Sequence, residues 1–307
     1  MPALSSWNDG IAKQAILGYL ARVTAANGSA YVPPEARVAV FDNDGTLWCE
    51  KPNYTQLDFF VSELRLAANV RPELAERPEY AALLAGDHAG IAALGIERIA
   101  LALVELCAGL QPEEFEQRAR DFVMTNVHTD RQVPYAEMVY QPMLELLDIL
   151  RAHAFEVFIV SGGGTEFVRA VSRQLYGVKP ERVVGTLVAY EYVRRNGVPM
   201  LVRTSSLYGE ANEGRAKVSH IQAHLGRRPI FGAGNSAGDR EMLEYAAASG
   251  ERGLAILVDH DDGEREYSYA SEAGTFKAPE AITDTAQELG WTVVSMKNDW
   301  TKVFADK

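Results

Sequence analysis

Arg37-Val38-Ala39-Val40-Phe41-Asp42-Asn43-Asp44-Gly45-Thr46-Leu47 carries an apolar run that stops on two aspartates one residue apart. A short valine-rich run closed by turn chemistry reads as a buried strand. Asp42 and Asp44 then sit at its carboxyl end, where open α/β sheets place their ligands. A strand fixes its last residues while the next turn stays exposed, so both carboxylates can face one pocket. One can attack, and the other can move a proton.

Upstream, residues 11 to 25 carry apolar side chains at helical spacing and lead through Val32-Pro33-Pro34 into this strand. Downstream of Trp48 the character changes. From about residue 53 to 126 the patterns are helical, broken at Arg71-Pro72, Arg77-Pro78 and Gln111-Pro112. Pro112-Glu113-Glu114 opens a helix well, with proline early and acids in the first turn. Residues 49–134 therefore read as an inserted helical cap. The α/β rhythm returns from Tyr135. A helix opens near Pro142, and Phe155 to Val160 is a strand ending at Ser161-Gly162-Gly163-Gly164. A helix follows (167 to 175), then a strand near 182 to 189, a hairpin around Asn196-Gly197 and a helix from about 215 to 225. Pro229-Ile230-Phe231 begins a strand that ends at Gly232-Ala233-Gly234-Asn235, and Leu254–Val258 and Thr292–Met296 read as two more. Alternating strands and helices predict a Rossmann-like, three-layer α/β core with a parallel sheet, built from residues 1–48 and 135–307.

Composition sets limits on function. At 307 residues, 47% of them apolar, the chain is globular and long enough for a core and one further domain. Its formal charge of −12, with no basic run, makes nucleic acid and anionic membrane surfaces poor partners. An anionic substrate needs a local cation to overcome that background. Cys49 and Cys107 stand in no metal or redox spacing. No stretch has transmembrane length and the first residues lack a signal-peptide pattern, so a cytoplasmic location is expected.

Three strand ends carry polar, glycine-rich turns: Asp42 to Thr46, Ser161 to Thr165, and Gly234 to Asp239. In a parallel sheet they converge on one edge. Lys217, at a helix start, lies between the second and third. Two carboxylates, a hydroxyl beside exposed amides, a lysine and an Asn/Asp pair suit a phosphate and a hard cation such as Mg²⁺. Each part has a bland reading: Asp-Gly is a common turn, triple glycine a permissive loop, and Lys217 a solvated helix residue. Order and strand-end placement together favour the site.

Asp42-x-Asp44-Gly45-Thr46, Ser161, Lys217 and Asn235-x-x-x-Asp239 resemble the four motifs of the haloacid dehalogenase-like superfamily. The pattern is nearest the phosphoserine-phosphatase-like branch with a helical cap after the first motif. The resemblance implies an aspartyl-phosphate on Asp42, with Asp44 as general acid and then base. It also implies that Ser161, the Gly162 amide and Lys217 bind the transferring phosphoryl group of a small phosphorylated metabolite. Mg²⁺ would be held by Asp42, the main-chain carbonyl of Asp44, Asn235 and Asp239, the last as ligand or through a neighbour. Asn235 departs from the usual aspartate and leaves the site one negative charge short. The second aspartate, Asp44, points to phosphate-ester transfer and away from dehalogenation. A phosphomutase shares that pair and is the nearest alternative.

Rival readings use the same turns. Gly232-Ala-Gly-Asn-Ser-Ala237 fits a dinucleotide fingerprint and would suit an oxidoreductase, but Asn235 and Asp239 set polar and acidic groups against a pyrophosphate. A non-catalytic binding protein is the third class. His220 and His224 share a helix face at metal-compatible spacing, with the solvated face as the simpler reading. Glu50 lies one residue short of a substrate-amine acid's position and reads as a solvated linker acid. Trp48, Tyr54 and Phe59 could wall the entrance or belong to the core.

Overall fold

The computed structural model describes residues 4–272 and 280–306. Eight strands occur among them: β1 (Val38–Phe41), β2 (Glu156–Gly164), β3 (Val183–Thr186), β4 (Val188–Arg195), β5 (Val198–Leu207), β6 (Phe231–Gly234), β7 (Leu254–Asp259) and β8 (Thr292–Ser295). Six of them form one parallel sheet in the order β3-β2-β1-β6-β7-β8. This is the doubly wound order, with its topological switch between β1 and β6. Every residue of β1 is buried, as the central strand of a sheet covered on both faces must be.

Helices α1 (Ile11–Thr24), α2 (Thr55–Val70), α3 (Pro78–Ala85), α4 (His88–Leu94), α5 (Ile96–Leu106), α6 (Pro112–Thr125), α7 (Gln141–Ala152), α8 (Thr165–Tyr176), α9 (Arg215–Leu225), α10 (Arg240–Ala247), α11 (Ile282–Glu288) and α12 (Met296–Asp299) complete the fold. Alternate side chains of each strand go to opposite faces. Ala39, Phe41, Val157, Ile159 and Phe231 pack with residues of α1, α7 and α8. Val38, Val40, Val160 and Leu257 pack with Ile221, Met242 and Ile282 of α9, α10 and α11. The α/β three-layer core expected from the sequence is therefore present. Between β1 and α7 the chain builds five α-helices, α2 to α6, whose apolar faces (Phe59, Leu64, Tyr80, Leu103, Phe115) continue the first of these clusters.

Two local readings change. The apolar run near 182 to 189 is two strands, because the chain leaves the large sheet after Thr186 and Val188 starts an antiparallel hairpin with β5. β-rich sequence marks both halves alike. Asn196 and Gly197 turn that hairpin with φ of 52° and 80°, the left-handed pair that a tight hairpin turn demands. Strand β2, in turn, continues through the triple glycine to Gly164, with a bulge between Val160 and Gly164. The approach of Gly185 explains why: a Cβ there would lie 2.7 Å from the Gly163 carbonyl oxygen. Among the described residues no helix is long and apolar enough to cross a membrane.

Candidate active site

The carboxyl ends of β1, β2 and β6 lie side by side, and the turns that follow them meet at the switch point. Asp42 extends β1, and its amide donates to the Ala233 carbonyl of β6 at 2.9 Å. Lys217, in the first turn of α9, reaches under all three strands. Its Nζ donates to Asp42 Oδ1 at 2.6 Å, to Asp239 Oδ1 at 2.6 Å and to the Val160 carbonyl at 2.9 Å. Burial opposes its charge, but the Asp239 and Asp42 carboxylates outweigh that and hold its pKa above the ordinary lysine value. Burial pushes the Asp42 carboxyl up, Asp239 adds to the push, and Lys217 pulls against both.

Asp44 sits on the turn itself. Its Oδ1 accepts from the Trp48 indole at 2.9 Å and its Oδ2 from the Asn43 amide at 3.4 Å. Burial raises its pKa, while hydrogen bonds from Trp48 and Asn43 lower it and leave a net rise. Burial raises both carboxyls; what distinguishes them is the Lys217 ammonium hydrogen-bonded to Asp42, which favours the ionised form of that carboxyl.

Ser161 is fully buried in β2, and its hydroxyl accepts from the Gly163 amide at 2.9 Å. The Gly162 backbone passes so close to the Glu213 carboxylate that a Cβ at Gly162 would collide with it. The Gly164 amide donates to Gln56 Oε1 of α2 at 2.8 Å, which ties the helical insertion to the glycine turn.

Asp239 closes the fourth turn. Its Oδ2 accepts from the amides of Asn235 and Ser236 at 3.0 and 3.1 Å, while Oδ1 takes Lys217. Ser236 and Asp239 form a capping box at the short turn leading into α10. Asn235 is buried. Its Oδ1 accepts from the Thr46 hydroxyl at 3.2 Å and its Nδ2 donates to Glu50 Oε1 at 3.3 Å. Glu50 is only 4% exposed, so the solvated linker acid expected there is instead part of the site wall. Burial pushes its carboxyl up.

The seven residues expected from sequence thus lie together at one sheet edge; Asp42, Asp44, Gly162 and Lys217 line a cleft, and Ser161, Asn235 and Asp239 are buried beside them. Others had weaker signals. Asn212 is buried and donates to the carbonyls of Ser161 and Val184 at 2.8 and 3.2 Å, fixing the end of β2. His220, half of the pair on α9, has its Nδ1 2.9 Å from Asn212 Oδ1. His260 touches the Gly45 carbonyl through Nε2 at 2.8 Å and Glu266 through Nδ1 at 3.2 Å. In sequence, Asn212 and His260 stand only in polar, charged stretches, and His220 is marked only by its spacing to His224. Trp48 is core and site at once, 1% exposed and bonded to Asp44.

Beside these groups opens a cavity of about 1300 Å³. Its floor includes Asp42, Asp44, Glu50 and Lys217, and its walls include Phe60, Leu83, Leu103 and Phe115 from the insertion. Arg203 of β5 and Glu166 of α8 form a buried ion pair on the same wall. As for a cation, among the described residues no three His, Cys, Asp or Glu side chains form a ready cluster. The available donors are nonetheless hard oxygens: the Asp42 carboxylate, the Asp44 carbonyl and the Asn235 amide. They suit Mg²⁺, which takes few carboxylates and keeps waters. Gly45, at φ 73°, lets the first turn pass close to Asn235, and a Cβ there would lie 2.9 Å from the Glu50 carboxyl carbon.

Several solved structures are similar to this chain. A structure of a conserved, functionally unknown protein from Anaerococcus prevotii DSM 20548 has a TM-score of 0.60 at 14% identity, covering 96% of this chain and 94% of that one. A protein of unknown function from Bordetella pertussis Tohama I is similar at TM-score 0.49 and 16% identity, over 84% and 97%. A phosphoserine phosphatase in its apo form is similar at TM-score 0.38 and 20% identity, over 72% and 86%. No curated protein matches in sequence. The family model described as haloacid dehalogenase-like hydrolase matches residues 39–244, a span holding the three strand-end turns, Lys217 and the helical insertion. The chain is therefore an enzyme of the hydrolase class and belongs to the haloacid dehalogenase-like hydrolases.

Proposed function

We propose that the chain is a Mg²⁺-dependent phosphatase that hydrolyses a small phosphomonoester through an aspartyl-phosphate on Asp42. The observation that carries this reading is the placement of Lys217, whose ammonium joins Asp42, Asp239 and the carbonyl preceding Ser161. It supplies the local cation that a phosphate needs in a chain of net charge −12.

In this reading the substrate phosphate lies over Asp42, with the Ser161 hydroxyl, the Gly162 amide and Lys217 around its oxygens. Asp42 Oδ2 attacks phosphorus, and the bond from phosphorus to the leaving oxygen breaks. Asp44 gives its proton to that oxygen, so the alcohol leaves neutral. Asp44, now a carboxylate, takes a proton from water as the water attacks the acyl-phosphate. Inorganic phosphate departs and both aspartates return to their starting state. Mg²⁺ would be held by Asp42, the Asp44 carbonyl and Asn235, and would neutralise charge on the transferring group. Asp239 holds Lys217 and the fourth turn in place. Residues 49–134 act as a cap that encloses the leaving group, a role supported by the apolar cavity walls they supply.

Phosphate release from a panel of phosphomonoesters, measured with Mg²⁺ and with excess chelator, tests the reading. Metal-dependent release that Asp42→Asn abolishes is expected, since an amide cannot form the acyl-phosphate. Release of no phosphate from any ester, or tight nicotinamide binding, would sink it.

A further inference from the structure

Asn235 places an amide, not a carboxylate, at the end of β6, yet the Glu50 carboxylate stands directly behind it. Glu50 comes from the loop after β1, is 4% exposed, and accepts a hydrogen bond from Asn235 Nδ2 at 3.3 Å. A buried acid is costly unless its charge is used or compensated. Its neighbourhood is built to hold it. Gly45, at φ 73°, passes within the space that a side chain would fill against both Glu50 and Asn235. His260 secures the Gly45 carbonyl from the other side at 2.8 Å, and is itself backed by Glu266.

An amide whose NH₂ donates to a carboxylate is polarised, and its oxygen gains negative character. That oxygen, Asn235 Oδ1, is the donor the fourth turn can offer a cation. We propose that Glu50 supplies the negative charge Asn235 lacks, acting through the Asn235 amide as a positioning residue of the metal site. The charge that the β6 turn does not supply at Asn235 is then carried by the loop entering the helical insertion. The inference rests on the Mg²⁺-phosphatase reading and adds a residue outside the four motifs.

Its test is a charge swap read by metal binding. Free Mn²⁺, a hard-cation probe for the Mg²⁺ site, is measured by electron paramagnetic resonance in substrate-free protein. E50Q keeps the shape and removes the charge, and is expected to weaken Mn²⁺ binding about tenfold or more, the size seen when a partner behind a metal ligand is lost. E50Q/N235D returns the charge to the strand end and should recover most of that affinity. N235D alone sets two carboxylates in contact and should bind Mn²⁺ no better than wild type. E50Q with wild-type affinity overturns the proposal, as does an E50Q defect that N235D fails to rescue. Should E50Q not fold, N235D decides alone, and tighter binding than wild type overturns the proposal. Wild-type protein that binds no Mn²⁺ removes the metal reading itself, a failure distinct from the others.

Discussion

Lys217 shares one ammonium between two buried carboxylates, and its removal leaves Asp42 and Asp239 facing each other. Lys217→Met should lower the unfolding free energy by about 3 kcal/mol, as expected when one partner of a buried ion pair is lost. The sign with pH follows from Asp42. Its carboxyl already lies above its ordinary value, and loss of the ammonium that pulls it down raises it further. A carboxyl raised in the folded state costs stability above its unfolded pKa, and the cost fades as pH falls toward about 4. Urea unfolding at neutral and at mildly acidic pH measures this; an equal deficit at both would make the loss one of packing. Trp48 gives a second residue-level prediction. Its indole stabilises the Asp44 carboxylate, so Trp48→Phe should raise the Asp44 pKa further. With Asp44 as the proposed proton donor, its protonated form then survives to higher pH. The alkaline limb of the kcat/KM profile should move upward, and a limb that stays put would separate Asp44 from that titration.

Among the elements, β2 carries the proposed phosphate subsite. Gly185 of β3 approaches it so closely that an added methyl would meet the Gly163 oxygen at 2.7 Å and the Thr165 nitrogen at 3.0 Å, both main-chain atoms that cannot turn aside. Gly185→Ala should displace the Ser161–Gly164 segment and cut kcat/KM on the order of a hundredfold, as small misplacements do. Circular dichroism should stay native, and unchanged kinetics would show that the segment is not held by β3. Elements like these were unevenly legible in sequence. β1, β2 and β6 are marked by apolar runs, and their terminal polar turns fix Asp42, Ser161 and Asn235 at one edge. Helix α10 was marked only by Ser236 and Asp239, whose spacing is a capping signal as much as a metal motif. Glu50 and Asn212 were not legible, because their importance comes from contacts with residues 185 and 51 positions away in the chain.

Taken whole, the molecule joins an oxygen-rich cleft to an apolar chamber, so the leaving group should be sorted by size at the insertion. Leu103→Trp, which narrows the chamber, should raise KM for a naphthyl phosphate several-fold and leave a two-carbon phosphoester unaffected. Equal effects on both would place the leaving group elsewhere. The hairpin of β4 and β5 adds a constraint on timing. Gly109 donates to the Arg203 carbonyl at 2.8 Å and Arg203 to the Leu110 carbonyl at 2.9 Å, so the turn between α5 and α6 is stitched to a strand that leaves the core sheet. The insertion is anchored at its far edge as well as at its two connecting loops. Widening the chamber requires the hairpin to travel with the helices or the stitches to part; if product release waits on that motion, phosphate departs no faster than the latch opens. Quenched-flow measurement should reveal a first-turnover burst of phosphate ahead of a slower steady state. A linear time course would make bond breaking the slow event and leave the hairpin a passive strut.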